Sequence, residues 1–225
     1  MHKTKETVNT RPDTRTRILE AAEQLFAEHG FAAMSLRQLT QKAEVNLAAV
    51  NYHFGSKERL MWDVLRKHIE PINCARLQLL DAAEKAAGTR PVPLDTILDA
   101  LLIPLVEAVR TPKGLNQKLV RMVGRTFSES ATFCKELHQE FFKNLSKRFK
   151  AALSRTLPKL SEKQLNWRFY LMICLMLGAL SQHHRLKYLS QGNCDPSDID
   201  EILVYLKGFI RAGLSASTVE NPNAS

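Results

Sequence analysis

The sequence predicts an all-α fold, with a short three-helix unit at the N-terminus and a larger helical bundle behind it. Apolar residues recur every three or four positions along most of the chain, and helix start and stop signals separate these stretches. No segment of useful length alternates apolar and polar residues, so no sheet is predicted. With 225 residues, 44% of them hydrophobic and 24% charged, the chain can bury a substantial core.

The first helix is predicted from about Arg15 to His29, because its apolar positions fall on one stripe. These positions are Ile18, Ala22, Leu25 and Phe26. Gly30 suits the left-handed residue that follows a helix end, and Phe31 can fold back against the last turn. The stripe gives this helix an apolar face with which to cover the two short helices that follow.

Each of the next two helices begins at a capping residue. Ser35 and Gln38 form a capping box, which predicts the start of a second helix that ends near Ala43. Asn46 is a good N-cap for a third helix. The apolar face of that third helix is formed by Leu47, Val50 and Phe54. Three short helices of this kind can share one small core.

The remaining helices are longer. A fourth helix is predicted from Ser56 to about Ala87, with a kink or a split at Pro71. Further helices are predicted over residues 94–109, 116–128, 133–156, 161–191 and 195–213. The resulting division is a disordered tail (1–14), a three-helix domain (15–60), a helical body (61–215) and a second disordered tail (216–225).

Composition argues against export, membrane insertion and a metal site. The N-terminus lacks an apolar signal core, and the longest apolar run, Phe169 to Leu180, is shorter than the ~20 residues that cross a bilayer. The cysteines have no CxxC pair and no histidines at metal-ligand spacing: Cys74, Cys134, Cys174 and Cys194. A reduced, cytoplasmic setting is predicted. The net charge of +9 favours an anionic partner without identifying it.

The outward face of the third helix suits the major groove of DNA. Its positions carry small or hydrogen-bonding side chains: Ala48, Ala49, Asn51 and Tyr52. Small residues let the backbone approach, an amide can pair with adenine, and a phenol or imidazole can hold phosphate oxygens. Taken singly, Tyr52, His53 and Lys57 could each be solvated surface residues. Their ordered combination beside a capping box predicts a helix-turn-helix.

The run YHFGSKE, with ILEAAEQLFAEHGF upstream, resembles the DNA-binding domain of the TetR family of bacterial regulators. The resemblance covers residues 15–62. It implies an all-helical homodimer with an N-terminal three-helix reader and a larger body that binds ligand and forms the dimer. It also implies which residues contact DNA: Ser35, Arg37, Leu47, Ala48, Asn51, Tyr52, His53 and Lys57.

Two positions depart from the family pattern. Glu44 stands in the turn where the family usually has Gly, and in a left-handed conformation Glu incurs a steric cost that Gly avoids. Asn51 stands where Tyr is common, which is expected to change the bases that are read. Leu47 has two interpretations, because the helical wheel turns it inward while the family places it at the DNA.

The predicted function is sequence-specific transcriptional regulation, by a ligand-responsive repressor that binds a palindromic operator in double-stranded DNA as a homodimer. The final helix carries a wide apolar stripe that includes Leu206 and Phe209, and residues 169–180 are apolar on every side. A symmetric four-helix interface between two copies would cover these two C-terminal helices, and an intramolecular core is the alternative.

No enzyme is predicted, because GxSxG, P-loop, dinucleotide and HExxH motifs are missing. A purely structural bundle stays a second interpretation.

Aromatic and methionine side chains in the body suggest where an effector would bind. The candidate ligand-binding residues are Phe127, Phe141, Phe142, Trp167, Met172 and Met176. An ordinary apolar core is the alternative explanation for each of them. A fainter similarity, in NLAAVNYHFGSKE and in the tryptophan-led apolar helix after Pro158–Leu160, links the chain to TetR-type regulators that respond to long-chain fatty acids or their thioesters. It implies an apolar or fatty-acyl-like effector, and no cofactor is predicted.

Overall fold

The computed structural model describes residues 13–111, 114–126 and 129–217, and these residues are mostly helical, which confirms the predicted all-α class. The elements are α1 Thr14–His29, α2 Leu36–Ala43, α3 Leu47–Phe54, α4 Lys57–Ala87, α5 Leu94–Val109, β1 Arg110–Thr111, β2 Gly114–Leu115, α6 Gln117–Thr126, α7 Ala131–Leu137, a π-helical turn His138–Phe142, α8 Lys143–Thr156, α9 Glu162–Ser181, α10 His184–Leu189 and α11 Ile199–Ser215. Two compact units divide between Leu65 and Arg66, inside α4. They are called the N-terminal unit and the body below.

The first described element begins within the segment that was predicted to be a tail. Asp13 caps α1, because its carboxylate accepts a hydrogen bond from the backbone N–H of Thr16 at 2.6 Å. The helix therefore starts at Thr14. The rest of the two predicted tails falls mainly on residues 1–12 and 218–225, which lie outside the described residues.

The core of the N-terminal unit is the one that the apolar pattern predicts. α1 packs against both α2 and α3. The buried side chains include Ile18, Ala22, Leu25, Phe26, Leu39, Val50 and Phe54. Each large apolar side chain removed from water in this way contributes about 1.5–3 kcal/mol before the entropy of ordering is subtracted. The predicted stripe on α1 is confirmed, and it fixes how the two short helices are held.

Pro71 does not split α4. The helix is continuous over 31 residues from Lys57 to Ala87, so the alternative of two separate helices is wrong. A proline inside a helix removes one backbone hydrogen bond. Because Pro71 lies on the exposed side of α4, water can satisfy the carbonyl that its missing N–H leaves free.

The body departs from the predicted elements in four places, one of which is the last helix: it was predicted from Asp195 but begins at Ile199, after the N-cap Asp198. The prediction of no sheet is wrong in detail, because β1 and β2 form an antiparallel pair, but two-residue strands are too short to show alternation. The helix predicted over 133–156 is interrupted by the π-helical turn His138–Phe142, whose i→i+5 bonding the apolar pattern did not indicate. The helix predicted over 161–191 ends at Ser181, and a short α10 follows it.

The core of the body lies mainly between α5, α8, α9 and α11. Its fully buried members include Leu80, Ile97, Leu98, Leu101, Leu102, Phe149, Leu153 and Leu180. α5 is buried on most sides, which explains its nearly continuous apolar sequence. Within the described ranges, no helix has the length and apolar character needed to cross a membrane.

α9 and α11 pack against each other and also expose large apolar side chains. The exposed side chains are Trp167, Tyr170 and Leu171 on α9, and Val204, Tyr205 and Phe209 on α11. These six residues are called the apolar face below. The sequence placed Phe209 on the same stripe as Leu206, but Leu206 is buried and Phe209 is 73% exposed. Both helices are therefore apolar on the core side and on part of the outer side.

Candidate DNA-binding surface

Hydrogen bonds at both helix starts fix the α2–turn–α3 segment. The backbone N–H of Gln38 donates to Ser35 Oγ at 3.2 Å, and the Ser35 N–H donates to Gln38 Oε1 at 3.0 Å. At the start of α3, the backbone N–H of Ala49 donates to Asn46 Oδ1 at 2.8 Å. Both predicted caps are confirmed, and together they define where the two helices begin.

The turn between α2 and α3 contains a left-handed residue that is not glycine. Glu44 has φ 52° and ψ 49°, and the N–H of Val45 donates to the Thr40 carbonyl at 3.0 Å. Arg17 Nη1 donates to the Glu44 carbonyl at 3.4 Å, so a side chain of α1 supports the turn. A non-glycine residue in this region costs about 1 kcal/mol relative to glycine. The steric cost anticipated for Glu44 is therefore present.

α3 buries one side and exposes the other. Val50 and Phe54 are 1% and 4% exposed, whereas Tyr52 is 86% exposed. Ala48 and Asn51 also lie on the exposed side. Leu47 is 48% exposed, so the helical-wheel interpretation that turned it inward is wrong. The exposed side carries short and hydrogen-bonding groups, as an element that enters a major groove requires.

Aromatic rings contact His53 near the end of α3 and Lys57 at the start of α4. Lys57 Nζ lies 4.6 Å from the centroid of the Phe31 ring, which is a cation–π contact. The half-buried ring of His53 lies 5.1 Å from that of Tyr52, edge to face. The contact with Phe31 restrains the ammonium group of Lys57.

The two candidate DNA-contact residues at the start of α2, Ser35 and Arg37, differ in whether their side chains already make hydrogen bonds within the unit. Ser35 Oγ donates to Gln38 Oε1 at 2.9 Å while it caps α2, so its hydroxyl is already engaged. Arg37 is exposed. It borders a shallow depression whose other residues are Thr40, Gln41, Glu44, Val45 and Asn46. All eight residues predicted to contact DNA are exposed or half-buried, and the contact itself stays a prediction.

Two carboxylates at helix starts carry negative charge within this unit. Hydrogen bonds from the backbone and side chain of Thr16 hold the pKa of Asp13 below its usual value. A hydrogen bond from its own backbone N–H, followed by one from the Ser56 side chain, lowers the pKa of Glu58. Both groups are therefore ionised at neutral pH and stabilise the positive ends of α1 and α4.

The residues predicted to bind an effector do not share one environment. Three of them are buried in the body: Phe141, Met172 and Met176. Phe142 is half-buried, and Trp167 is 59% exposed as part of the apolar face. Phe127 lies outside the described residues. The structure therefore places Phe141, Met172 and Met176 inside the body, and Trp167 on its surface.

The sequence prediction missed two buried polar residues, which contact Phe141 and Met176. Asn73 Nδ2 donates to the Phe141 carbonyl at 2.8 Å. Arg76 Nε donates to the Leu101 carbonyl at 2.8 Å, and Arg76 Nη1 donates to Asn73 Oδ1 at 3.3 Å. Arg76 Nη2 reaches the sulfur of Met176 at 3.6 Å. A polar cluster is thus enclosed within the apolar body.

A signal for Arg76 was present in the apolar period of α4. Ile72 and Leu80, four residues to either side, belong to the body core, so Arg76 stands at a position that the helical period assigns to the interior. Burial lowers the pKa of Arg76 to about 10, which leaves the guanidinium charged at neutral pH. None of the described contacts of Arg76 is with a carboxylate.

A helix-turn-helix with an exposed polar recognition face, followed by an all-helical body, defines a helix-turn-helix transcriptional regulator. Residues 18–63 match the family of bacterial regulatory proteins, tetR family, and residues 99–213 match the tetracyclin repressor-like C-terminal domain. The chain therefore belongs to the TetR family. Regulators of this family bind DNA and act as homodimers with small-molecule effectors.

Relatives from two bacteria are described as transcriptional regulators. The chain is 26% identical over 124 residues to the probable HTH-type transcriptional regulator YttP of Bacillus subtilis, covering 55% of each chain. It is 36% identical over 78 residues to the HTH-type transcriptional repressor NicS of Pseudomonas putida, covering 34% of this chain and 37% of NicS. The match thus spans about half or less of the length of these relatives.

Solved structures share the fold over nearly the whole chain. The SmeT–triclosan complex aligns with a TM-score of 0.60 at 20% identity, covering 94% of this chain and 99% of SmeT. A TetR-like transcriptional regulator from Rhodococcus sp. RHA1 aligns with a TM-score of 0.56 at 15% identity, covering 92% and 100%. At these identities the likeness establishes the fold alone.

Proposed function

We propose that this protein is a ligand-responsive repressor that binds a palindromic operator as a homodimer. The exposed face of α3 is the observation that carries the proposal. Ala48 lets the helix backbone approach base edges, Asn51 can pair with adenine, and Tyr52 and Lys57 are available to phosphate oxygens. Two such helices would enter successive major grooves about 34 Å apart. The NicS relative is described as a repressor, which supports repression rather than activation as the proposed function.

The apolar face on α9 and α11 supports dimerisation through the two C-terminal helices. Phe209, Tyr205 and Trp167 are 73%, 71% and 59% exposed. Aromatic side chains on two adjacent helices favour burial against an identical surface, since a twofold axis brings each patch against its own copy. A four-helix interface of this kind would remove all six side chains from water.

The proposed effector is apolar or fatty-acyl-like and binds within the body. SmeT, which shares the fold, was solved in complex with triclosan, and this supports a body that accommodates small molecules. α4 contains both Lys57 and the buried polar residues Asn73 and Arg76. An effector that binds one of two dimer arrangements more tightly than the other would shift the dimer towards that arrangement and so change its affinity for the operator. The coupling is reciprocal, because operator DNA would change the affinity for the effector by the same free energy. The bacterial cytoplasm, where operator DNA is found, is the proposed site of action.

A gel-shift titration tests the proposal. The purified full-length chain is titrated against DNA flanking its own coding region, with a shuffled duplex of equal length and composition as competitor. A repressor is expected to bind the flanking DNA at least about a thousandfold more tightly than the shuffled DNA at the same salt concentration. Equal affinity for both duplexes, or no binding to either, would contradict the proposed repression through an operator beside its own coding region.

A further inference from the structure

We propose that Arg76 recognises the anionic group of the effector, at a site inside the body formed with Asn73, Phe141 and Met176. This role presupposes the ligand-responsive function proposed above and adds the chemical class of the effector. The effector would be a small, largely apolar molecule that carries a carboxylate. Arg76 would be a ligand-binding residue, and Asn73 would position its guanidinium.

The first observation is a buried charge without a counter-charge. Arg76 is 3% exposed, and its described partners are a carbonyl, an amide oxygen and a thioether sulfur. Several other arginines of the body have carboxylate partners: Arg66 pairs with Glu140, Arg110 with Asp200, and Arg148 with Glu84 at 2.8 Å. An unpaired charge in an apolar interior is strongly unfavourable. An anionic ligand would supply the missing charge.

The second observation is the uneven quality of the bonds that Arg76 makes. Its Nε–H is well satisfied by the Leu101 carbonyl at 2.8 Å. Its two Nη groups have only a long contact to Asn73 Oδ1 at 3.3 Å and a weak one to the Met176 sulfur at 3.6 Å. The two Nη groups form the edge that binds a carboxylate in a bidentate manner. The underused edge of Arg76 is therefore the one suited to an anion.

A purely structural role accounts for only part of this arrangement. Pro104 lies inside α5, and the N–H that it lacks would have bonded to the carbonyl of Ala100. Arg76 donates to the next carbonyl, that of Leu101, and so braces α5 at this irregular turn. Bracing through Nε explains one donor and leaves both Nη groups without a strong acceptor.

The third observation is the π-helical turn that borders the cluster. Asn73 Nδ2 donates to the carbonyl of Phe141, which lies within the turn His138–Phe142. Arg66 Nη2 binds Glu140 Oε1 of the same turn at 2.6 Å, so α4 holds the turn at two places. Single π-helical turns occur frequently at functional sites. Here the turn brings a backbone carbonyl to Asn73 and thereby fixes its amide oxygen towards Arg76.

The surroundings suit an apolar ligand tail. Met172 and Met176 are each 3% exposed on α9, and Phe141 is 9% exposed. Methionine side chains are unbranched and adaptable, so they can repack around a ligand at little cost. The Met176 sulfur is also the weakest partner of Arg76. Displacement of this sulfur by a carboxylate oxygen would replace a poor acceptor with a strong one.

Matched pairs of small ligands test the charge requirement on the full-length wild-type chain. Octanoate is compared with octanamide, and phenylacetate with phenylacetamide, by thermal shift and titration calorimetry at millimolar concentrations. At least one carboxylate is expected to bind and to raise the melting temperature, while its amide does not. Equal binding of amide and carboxylate, or no binding of either carboxylate, would overturn the role of Arg76.

Three variants test whether carboxylate binding takes place at Arg76. Arg76→Met is expected to weaken carboxylate binding by at least about tenfold, because the charge-assisted bonds are lost. Asn73→Asp places a carboxylate beside Arg76 and should abolish the response while Arg76 is retained, which keeps the test valid if Arg76→Met does not fold. Arg148→Met is the matched control, since it removes a paired arginine and should leave carboxylate binding unchanged. Unchanged binding in Asn73→Asp, or in folded Arg76→Met, would refute the assignment.

Operator binding is measured separately in the absence of ligand. If wild-type protein binds carboxylate but not its flanking DNA, the proposed repressor function fails and the role of Arg76 in anion binding stands. If the protein binds its DNA but shows no carboxylate response that depends on Arg76, the regulator stands and the effector class is wrong. The two failures are therefore distinguishable in one set of samples.

Discussion

The N-terminal unit and the body depart from the apolar-inside, polar-outside pattern in different ways. In the N-terminal unit Tyr52 and Leu47 of α3 are exposed, and among the described residues the buried ionisable side chain is the carboxyl group of Glu23. In the described part of the body Phe209 is 73% exposed, and the buried ionisable side chain is the guanidinium group of Arg76. Such departures cost stability in an isolated chain, so they indicate what each region binds. The unit presents a polar edge for a polyanion, and the body presents an apolar face together with an internal cation.

The largest expected effect is on the stability of the N-terminal unit, where a substitution in the core is compared with one on the exposed side of α3, called the recognition face below. Phe26 is fully buried, and Phe26→Ala should lower the free energy of unfolding of the unit by about 3–5 kcal/mol. Tyr52→Ala removes an aromatic ring of similar size that is 86% exposed, so it should change stability by less than about 0.5 kcal/mol. Operator affinity, in contrast, should fall in Tyr52→Ala although its fold is intact.

The chain has one tryptophan in each region, which makes this comparison measurable. Trp62 lies in the N-terminal unit and Trp167 in the body. In a Trp167→Phe background, urea unfolding followed by fluorescence reports on Trp62 alone. Similar destabilisation by Phe26→Ala and Tyr52→Ala would mean that α3 does not have a free outer face.

The next largest effect concerns the apolar face. Phe209→Glu should place a charge at the centre of the proposed dimer interface and raise the dimer dissociation constant by at least about a hundredfold, since like charges would also meet across the twofold axis. Leu79→Glu is the matched control, because Leu79 is 44% exposed on α4. Light scattering across a concentration series gives both constants. A monomeric wild-type chain, or dimers in both variants, would rule out this interface.

Substitutions on the recognition face should have smaller and more selective effects. Asn51→Ala is expected to cost about 1–3 kcal/mol of discrimination at one base pair of each half-site. Lys57→Ala should weaken all sequences alike and reduce the slope of log affinity against log salt by about 1 per protomer. Fluorescence anisotropy with single-substitution operators separates the two patterns. Identical behaviour of both variants on all operators would show that Asn51 does not read bases.

The two regions also differed in how far the sequence predicted them. Ser35 and Asn46 are the N-caps of α2 and α3, and each side chain accepts a hydrogen bond from the backbone N–H three positions further on. Local sequence signals were therefore sufficient to predict where these two helices begin. Arg76, by comparison, is held by Leu101 and Met176, which are 25 and 100 residues away. The apolar period of α4 assigns position 76 to the interior, but it gives no information about partners at such separations.

The same limit applies to surfaces. A wide apolar stripe on the last helix was evident, but its two sides were not distinguishable, and Phe209 was grouped with residues that proved to be buried. The exposure of Leu47 has a similar origin, since helical spacing places it near Val50 while the start of a helix leaves one side uncovered. Periodicity shows that an apolar face exists, and the neighbouring elements decide which part of it is covered.

A smaller effect tests the strained turn in the N-terminal unit. Glu44→Gly should stabilise this unit by about 1 kcal/mol, because glycine adopts φ 52° without the steric cost of a side chain. Gln191→Gly is the control in the body, since Gln191 also has φ 52° but lies outside the helix-turn-helix. Both should raise the free energy of unfolding of their own region. Destabilisation by Glu44→Gly would show that contacts of the glutamate outweigh its backbone strain.

The smallest expected effect is the pH dependence of an exposed ion pair in the body. Asp200 accepts hydrogen bonds from Arg110 Nη2 at 2.8 Å and Nη1 at 3.1 Å, and these bonds hold its pKa below the usual 3.8. Because the folded-state pKa is lowered, the stabilisation is fully present above the unfolded-state pKa and is lost as the pH falls through the folded-state value. Asp200→Asn should therefore lower the melting temperature slightly at neutral pH, by an amount that shrinks as the pH falls below the usual Asp value of 3.8. An Arg110→Gln, Asp200→Asn double-mutant cycle isolates the pair, and a coupling that does not change with pH would show that the carboxylate of Asp200 contributes no net charge interaction there.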